Sequence, residues 1–123
     1  MARTTIKNSN LSAEFTGLTD LGTGAAFAIN FSTASTYKAA ANDDATLALS
    51  NAKQGQAVDV IISGDHTITF SETGSTFNKI GGVDYDGSAT NLIQIACTDE
   101  TAGAKVYHYM VGTYVSDTTA NSN

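Results

Sequence analysis

Apolar side chains recur at every second position through much of the chain. Residues 57–63 combine this spacing with a high density of β-branched side chains, and Ile68 and Phe70 share one face of the run that follows. An apolar period of two places alternate side chains on opposite faces of a β-strand, whereas an amphipathic helix needs a period of 3.6. The pattern therefore predicts a fold made of strands.

The same spacing predicts the other strands, at residues 12–15, 25–31, 46–50, 91–97 and 105–115. We expect residues 91–97 to pair with the final strand, in which Gly112 marks a bulge or bend. Gly64 and Asp65 suit a two-residue turn, so they predict a hairpin between the strands on either side of them. With about seven strands, the expected fold is all-β, an antiparallel β-sandwich or a small jelly roll.

Helix is expected to be scarce. The best candidate is the alanine-rich stretch at residues 37–49, but Asn42-Asp43-Asp44 interrupts it without a clear apolar stripe, so it allows one turn at most. Residues 71–90 are rich in glycine and predict a long shaped loop.

The length of 123 residues fits one domain of ordinary size. We expect an extended N-terminal arm at residues 1–10, a single β domain at 11–116 and a flexible C-terminal tail at 117–123. No apolar run approaches the roughly 18 residues of a membrane span. The single cysteine excludes an intramolecular disulfide.

The charge balance narrows the choice of partners. The chain has 12 acids and 6 bases, a formal net charge of -6. Nucleic-acid binding and attachment to an anionic membrane both need clustered lysine and arginine, so neither partner is expected. Charged residues make up only 15% of the chain, against about 25% in an average soluble domain. A surface of small hydroxyl and amide groups loses little hydration on packing, which suits contact with many copies of a protein.

Candidate catalytic and metal-binding residues form no complete set. Asp84-Tyr85-Asp86-Gly87 resembles the opening of a calcium loop, but the later ligands are missing and Asp-Gly is an ordinary turn. His66 and His108 have no partner at ligand spacing, and we expect each to lie half exposed on a strand. Cys97 ends an apolar strand and is expected in the core. We therefore expect no metal, no cofactor and no enzymatic activity.

Tyrosines near the end of the chain allow two interpretations. Tyr85, Tyr107, Tyr109 and Tyr114 combine apolar area with a polar tip, as a face that binds sugar or protein would. Tyr107 and Tyr109 also suit core positions or cross-strand pairs, and this second interpretation is favoured because aromatic residues often stabilise sheets.

A characteristic order of short motifs covers about half of the chain. They are Leu47 and Leu49, Gly55 and Gln56, residues 58–62, Ile68-Thr69-Phe70, Phe77, Gly81-Gly82, residues 92–95, and Tyr107 to Tyr109. This order resembles a β-module of tailed-bacteriophage structural proteins. The chain departs from that pattern at Asn91, where an acid is common, and at Asn78 and Lys79, where an aromatic residue is common.

The resemblance implies a non-enzymatic virion protein, commonly a trimer. The expected role is head decoration, in which trimers made in the host cytoplasm bind the outer capsid surface and bridge neighbouring major capsid proteins. Arg3, Thr4, Thr5, Ile6 and Lys7 are the expected capsid-binding residues, docking as an extended strand on a capsid edge. The alternative is a receptor- or glycan-binding tail-fibre tip.

Overall fold

The computed structural model describes residues 16–120 and contains seven β-strands. They are β1 (Leu18–Asn30), β2 (Thr36–Ser50), β3 (Ala57–Ser63), β4 (Ile68–Ser71), β5 (Thr76–Lys79), β6 (Asn91–Asp99) and β7 (Val106–Thr113). The strands join in one sheet, and the described residues contain essentially no helix. The predicted all-β class is confirmed, with the expected number of strands in a β-sandwich-like arrangement. The proposed strand at residues 12–15 and the arm lie outside the described residues.

Strand direction differs from the antiparallel arrangement that we expected. β2 runs parallel to β1 along one edge, and along its other edge it pairs in parallel with β3 and then with β4. The register aligns Phe27 with Leu47, and Leu47 with Phe70. β1, β2 and the β3–β4 run are therefore three successive turns of one coil, which we call the parallel coil.

Bent strands make this coil possible. A straight strand of 13 residues is about 43 Å long, and the five residues that lead to β2 span at most about 17 Å. The chain can return to the start of the next parallel strand only because β1 itself bends. Its pairing with β2 shifts register between Asp20 and Thr23 and again between Gly24 and Ala26, which places the corners there.

The hairpin predicted at Gly64 and Asp65 is wrong. These residues form a corner of the coil, because β3 before them and β4 after them both run parallel to β2. Gly64 adopts a φ of 118°, and a Cβ there would lie 2.2 Å from the carbonyl oxygen of Ala41 on the preceding turn. A glycine is thus required here because adjacent turns of the coil approach closely. The Gly-Asp sequence is the same as that of a hairpin turn.

Two other expectations change in the structure. The alanine-rich stretch forms no helical turn, because residues 37–49 lie entirely within β2. The long loop expected at residues 71–90 contains β5, which pairs in parallel with β7.

An antiparallel pair covers the third turn of the coil. β6 pairs with β3, and β7 pairs with β6, which confirms the predicted partner of the final strand. Gly112 lies in regular register opposite Leu92, so no bulge forms at it; the register shift is between Cys97 and Asp99.

The core lies inside the coil and under the antiparallel pair. Alternate residues point inward, so cross-strand neighbours such as Val60 and Ile93 are both buried. Burial of each large apolar side chain contributes about 1.5–3 kcal/mol. Within residues 16–120 no helix is long and apolar enough to cross a membrane.

Candidate functional site

The side of the sheet that faces away from the core forms one continuous surface, which we call the outer face. It is made by the residues between the buried positions of β1, β2, β3, β6 and β7. Its members include Leu18, Asp20, Lys38, Asp59, Ile61, Leu92, Gln94, Ala96, His108 and Met110. Leu18 and Met110 lie at its two ends and are 59% and 43% exposed.

Most side chains of the outer face are uncharged, and its charged members are Asp20, Lys38 and Asp59. Ile61 pairs with Leu92, which in turn lies opposite Gly112, so an apolar row crosses three strands. Two shallow hollows of about 350 and 200 Å³ lie on this surface. Gln94 donates to Asp59 across the strands at 3.2 Å, which occupies part of that carboxylate. A flat surface of this kind suits protein contact because it contains few charges to desolvate.

A second candidate region is the gap between β4 and β7, which we call the seam. Among the described residues β4 has a backbone partner only in β2, and β7 pairs with β5 and β6. Aromatic rings close the seam instead of hydrogen bonds. Phe70 lies 4.6 Å from Tyr109 and 5.3 Å from Phe77, measured between ring centroids. Such edge and stacked contacts contribute about 0.5–1.5 kcal/mol each beyond area burial.

A groove of about 370 Å³ runs along the seam. Its apolar lining is Ile68, Phe70, Ile93, Tyr109 and Val111, and its polar lining is His66, Thr67, Lys79, Asp84 and Tyr85. The volume is at the small end of the range for ligand pockets, about 300–1,000 Å³. Tyr85 is held in place because its hydroxyl donates to the carbonyl of Gly64 at 2.8 Å. Burial, followed by the charges of Asp65 and Asp86, raises the pKa of the Tyr85 phenol.

Tyr107 is a buried residue of β7, the strand on one side of the seam. Its ring stacks on Phe77 at 5.3 Å, and its hydroxyl donates to the carboxylate of Glu72. Lys105 lies 3.5 Å from the other oxygen of that carboxylate. Burial, and then the hydrogen bond to Glu72, raises the pKa of the Tyr107 phenol well above its usual range. The favoured interpretation of this residue, as a core tyrosine, is confirmed by its complete burial.

Asp43, Asp44 and His66 form a cluster that the sequence does not predict. Two corners of the coil stack on each other, so one ligand atom from each of the three residues lies within 4.8 Å of the other two. Asp44 also accepts a hydrogen bond from the backbone of Thr67 at 3.0 Å. The two carboxylates are exposed, and the cluster adds negative charge beside the groove.

The calcium-like stretch at Asp84 forms a structured turn. The Asp84 carboxylate pairs with Lys79, and that hydrogen bond lowers its pKa. Asp86 accepts hydrogen bonds from the backbone and hydroxyl of Ser88, which likewise lower the pKa of its carboxyl group. The Asp84 carboxylate is thus joined to the end of β5, and the Asp86 carboxylate to its own turn.

Asn91 holds the loop of residues 86–90 in place through its side-chain amide. This buried side chain accepts from the backbone of Asp86 at 2.9 Å and donates to the carbonyls of Asp86 and Ala89 at 2.8 and 3.1 Å. An ionised carboxylate only accepts hydrogen bonds, so it would leave both carbonyls without a donor. The loop of residues 86–90 therefore selects an amide.

The remaining predicted residues lie apart from one another. His66 lines the groove and His108 lies on the outer face, and both are partly buried as expected. His108 lies on β7 as predicted, whereas the strand position predicted for His66 is wrong, because His66 lies in the corner between β3 and β4. Cys97 is buried, and burial raises the pKa of its thiol. Arg3, Thr4, Thr5, Ile6 and Lys7 lie outside the described residues, so their role stays a prediction.

Comparison of the chain with protein-family models, curated proteins and solved structures found no match.

Proposed function

We propose that this chain is a non-enzymatic bacteriophage virion protein that decorates the capsid. In this proposal homotrimers bind the outer capsid surface, contact the major capsid protein and stabilise the head. The outer face is the observation that supports the proposal best. It offers a broad contact area of mostly uncharged side chains, with Ile61 beside Leu92 and with Leu18 and Met110 exposed at the two ends of the face.

Several simultaneous contacts would allow such a surface to bind the capsid tightly. Each contact of small side chains is weak, but a trimer that engages several capsid subunits gains affinity through effective concentration. Binding to the assembled capsid and not to its dissociated subunits shifts the equilibrium toward the assembled head.

The direct test is binding of the purified protein to assembled capsids of the parent phage. We expect saturation at a fixed copy number and a higher temperature of capsid disruption. Met110→Lys should weaken binding at least about tenfold, because it buries a charge in the contact. Thr73→Lys introduces the same charge at an exposed position in the turn between β4 and β5, away from the outer face, and should bind normally. Equal binding by the two variants would contradict a role for the outer face.

A fibre-tip function has one observation in its favour. The groove places aromatic Phe70, Tyr85 and Tyr109 beside the polar groups of Asp84 and His66, a combination that suits a sugar ring and its hydroxyls. Purified protein that blocks phage adsorption to host cells, with no binding to capsids, would replace decoration with this function.

A further inference from the structure

The groove has an available strand edge as one wall. β4 pairs with β2 along one edge, and no backbone partner among residues 16–120 occupies its other edge. Residues from the start of β4, Ile68 and Phe70, line the groove. An extended segment placed there would gain main-chain hydrogen bonds from the strand and side-chain specificity from the groove.

Charge and shape define what such a segment must contain. The interior of the groove is lined by Ile68, Tyr109 and Val111, so it takes an apolar side chain. The rim carries Asp84 and adjoins Asp43 and Asp44. Lys79 is already paired with Asp84. The fitting occupant is an extended peptide with an apolar residue on one face and basic residues on the other.

The arm of this chain has that pattern. In an extended conformation Thr4 and Ile6 point to one side, and Arg3 and Lys7 point to the other. Residues 1–10 carry two bases and no acid, whereas the rest of the chain carries four bases and twelve acids. The arm and the body are thus opposite in charge.

We propose that the groove binds residues 3–7 of a second copy, with Ile6 inserted between β4 and β7. The inference rests on the self-association in the proposed function. It assigns the arm a binding site on another copy of this chain instead of on the capsid. Arm and groove are different surfaces, so the contact is heterologous and closes into a ring when copies are related by rotation.

The start of the described chain lies away from the groove. The carbonyl of Gly17 accepts hydrogen bonds from Ser35 and Thr36 at the start of β2. That point lies beside β1, whereas β4 lies on the opposite edge of β2 and further along it. The described chain therefore begins on the side of β2 opposite the groove.

Disulfide trapping tests the inference directly. The double variant Ile6→Cys/Val111→Cys should form covalent dimers and trimers under mild oxidation, since the two positions are in contact between copies. Matched controls are Thr5→Cys/Val111→Cys and Ile6→Cys/Met110→Cys, which point one cysteine to the wrong side. The controls should cross-link at least about fivefold less, because a disulfide cannot form between side chains that point away from each other. An intramolecular product, or equal cross-linking in the controls, would overturn the inference.

Solution mass gives a second readout that needs no cysteine. Ile6→Glu should reduce the trimer to single chains of 12.7 kDa, whereas Thr5→Glu adds the same charge on the other side of the arm and should keep the trimer. A trimer that survives Ile6→Glu would refute arm exchange and leave the capsid-binding proposal standing. Loss of capsid binding by a correctly cross-linked trimer would instead refute decoration.

Discussion

The parallel coil and the seam bury apolar side chains in different ways. In the coil, Phe27, Leu47 and Ile62 are buried on strands whose backbones are hydrogen-bonded to their neighbours. At the seam, Phe70 and Tyr109 touch without any described backbone pairing between their strands. A hydrogen-bonded wall fixes the distance between strands, whereas a ring contact can open. A binding groove can therefore lie where side chains alone hold two strands together.

The largest expected effect is at the corner of the coil. Gly64→Ala should lower the free energy of unfolding by about 4 kcal/mol, since it combines backbone strain at positive φ with a clash against Ala41. Gly82→Ala is the matched control, because a Cβ there meets nothing within 4 Å, and it should change stability little. Urea unfolding measures both. Similar small losses would show that adjacent turns are not closely packed.

Truncation of one residue in each region compares them directly. Leu47→Ala removes a fully buried side chain of the coil and should cost about 3 kcal/mol. Phe70→Ala removes a larger ring at the seam, but that ring is partly exposed and its surroundings can collapse, so we expect about 1–2 kcal/mol. A greater loss at Phe70, by the same urea measurement, would mean that the seam is the more tightly packed region.

The loop beside the seam depends on an amide. Asn91→Asp should cost about 2–3 kcal/mol at neutral pH, because a buried carboxylate faces the carbonyls of Asp86 and Ala89 without a donor. The loss should shrink in acid, where protonation restores one donor. Asn78→Asp, at an exposed position of β5, makes the same chemical change and should have almost no effect. Thermal unfolding at several pH values distinguishes the two variants.

A small effect, about 1.5 kcal/mol at neutral pH, is expected for Tyr107→Phe, which removes the hydrogen bond to Glu72. The Tyr107 pKa is raised in the folded protein, so its protonated form favours folding. That contribution is complete below the unfolded pKa of about 10 and is lost as pH rises above it.

The variant has no phenol at this position, so its stability deficit should narrow above pH 10. Exposed Tyr114→Phe serves as the control for general alkaline effects. A deficit that stays constant between pH 7 and 11 would contradict the raised pKa.

The all-β class and the β6–β7 pair could be predicted because both depend on local alternation and on neighbouring segments. The parallel coil could not, since its partners are 18 residues apart at Leu18 and Thr36 but 23 apart at Thr36 and Asp59. Because the turns of the coil differ in length, the sequence shows no repeat of fixed period. A Gly-Asp pair suits a coil corner as well as a hairpin turn. Only the pairing partners of the flanking strands distinguish the two structures.

The candidate sites were harder to predict from the sequence than the fold. Alternation indicates which side chains avoid the core, but it does not show that those of five strands form one outer face. The groove and the cluster of Asp43, Asp44 and His66 depend on the stacking of corners, which the hairpin prediction at Gly64 excluded. His66 was considered as a ligand, but its acidic neighbours lie on another turn of the coil.

The pairing of β3 with β6 has a consequence for the protein as it is made. β3 is complete at Ser63, yet its second edge stays uncovered until β6, which begins at Asn91, has been synthesised. At about 5–20 residues per second this takes several seconds. An uncovered strand edge is a template for pairing with another chain. Misassembly of this protein is therefore expected to depend on the rate of translation as well as on the stability of the finished fold.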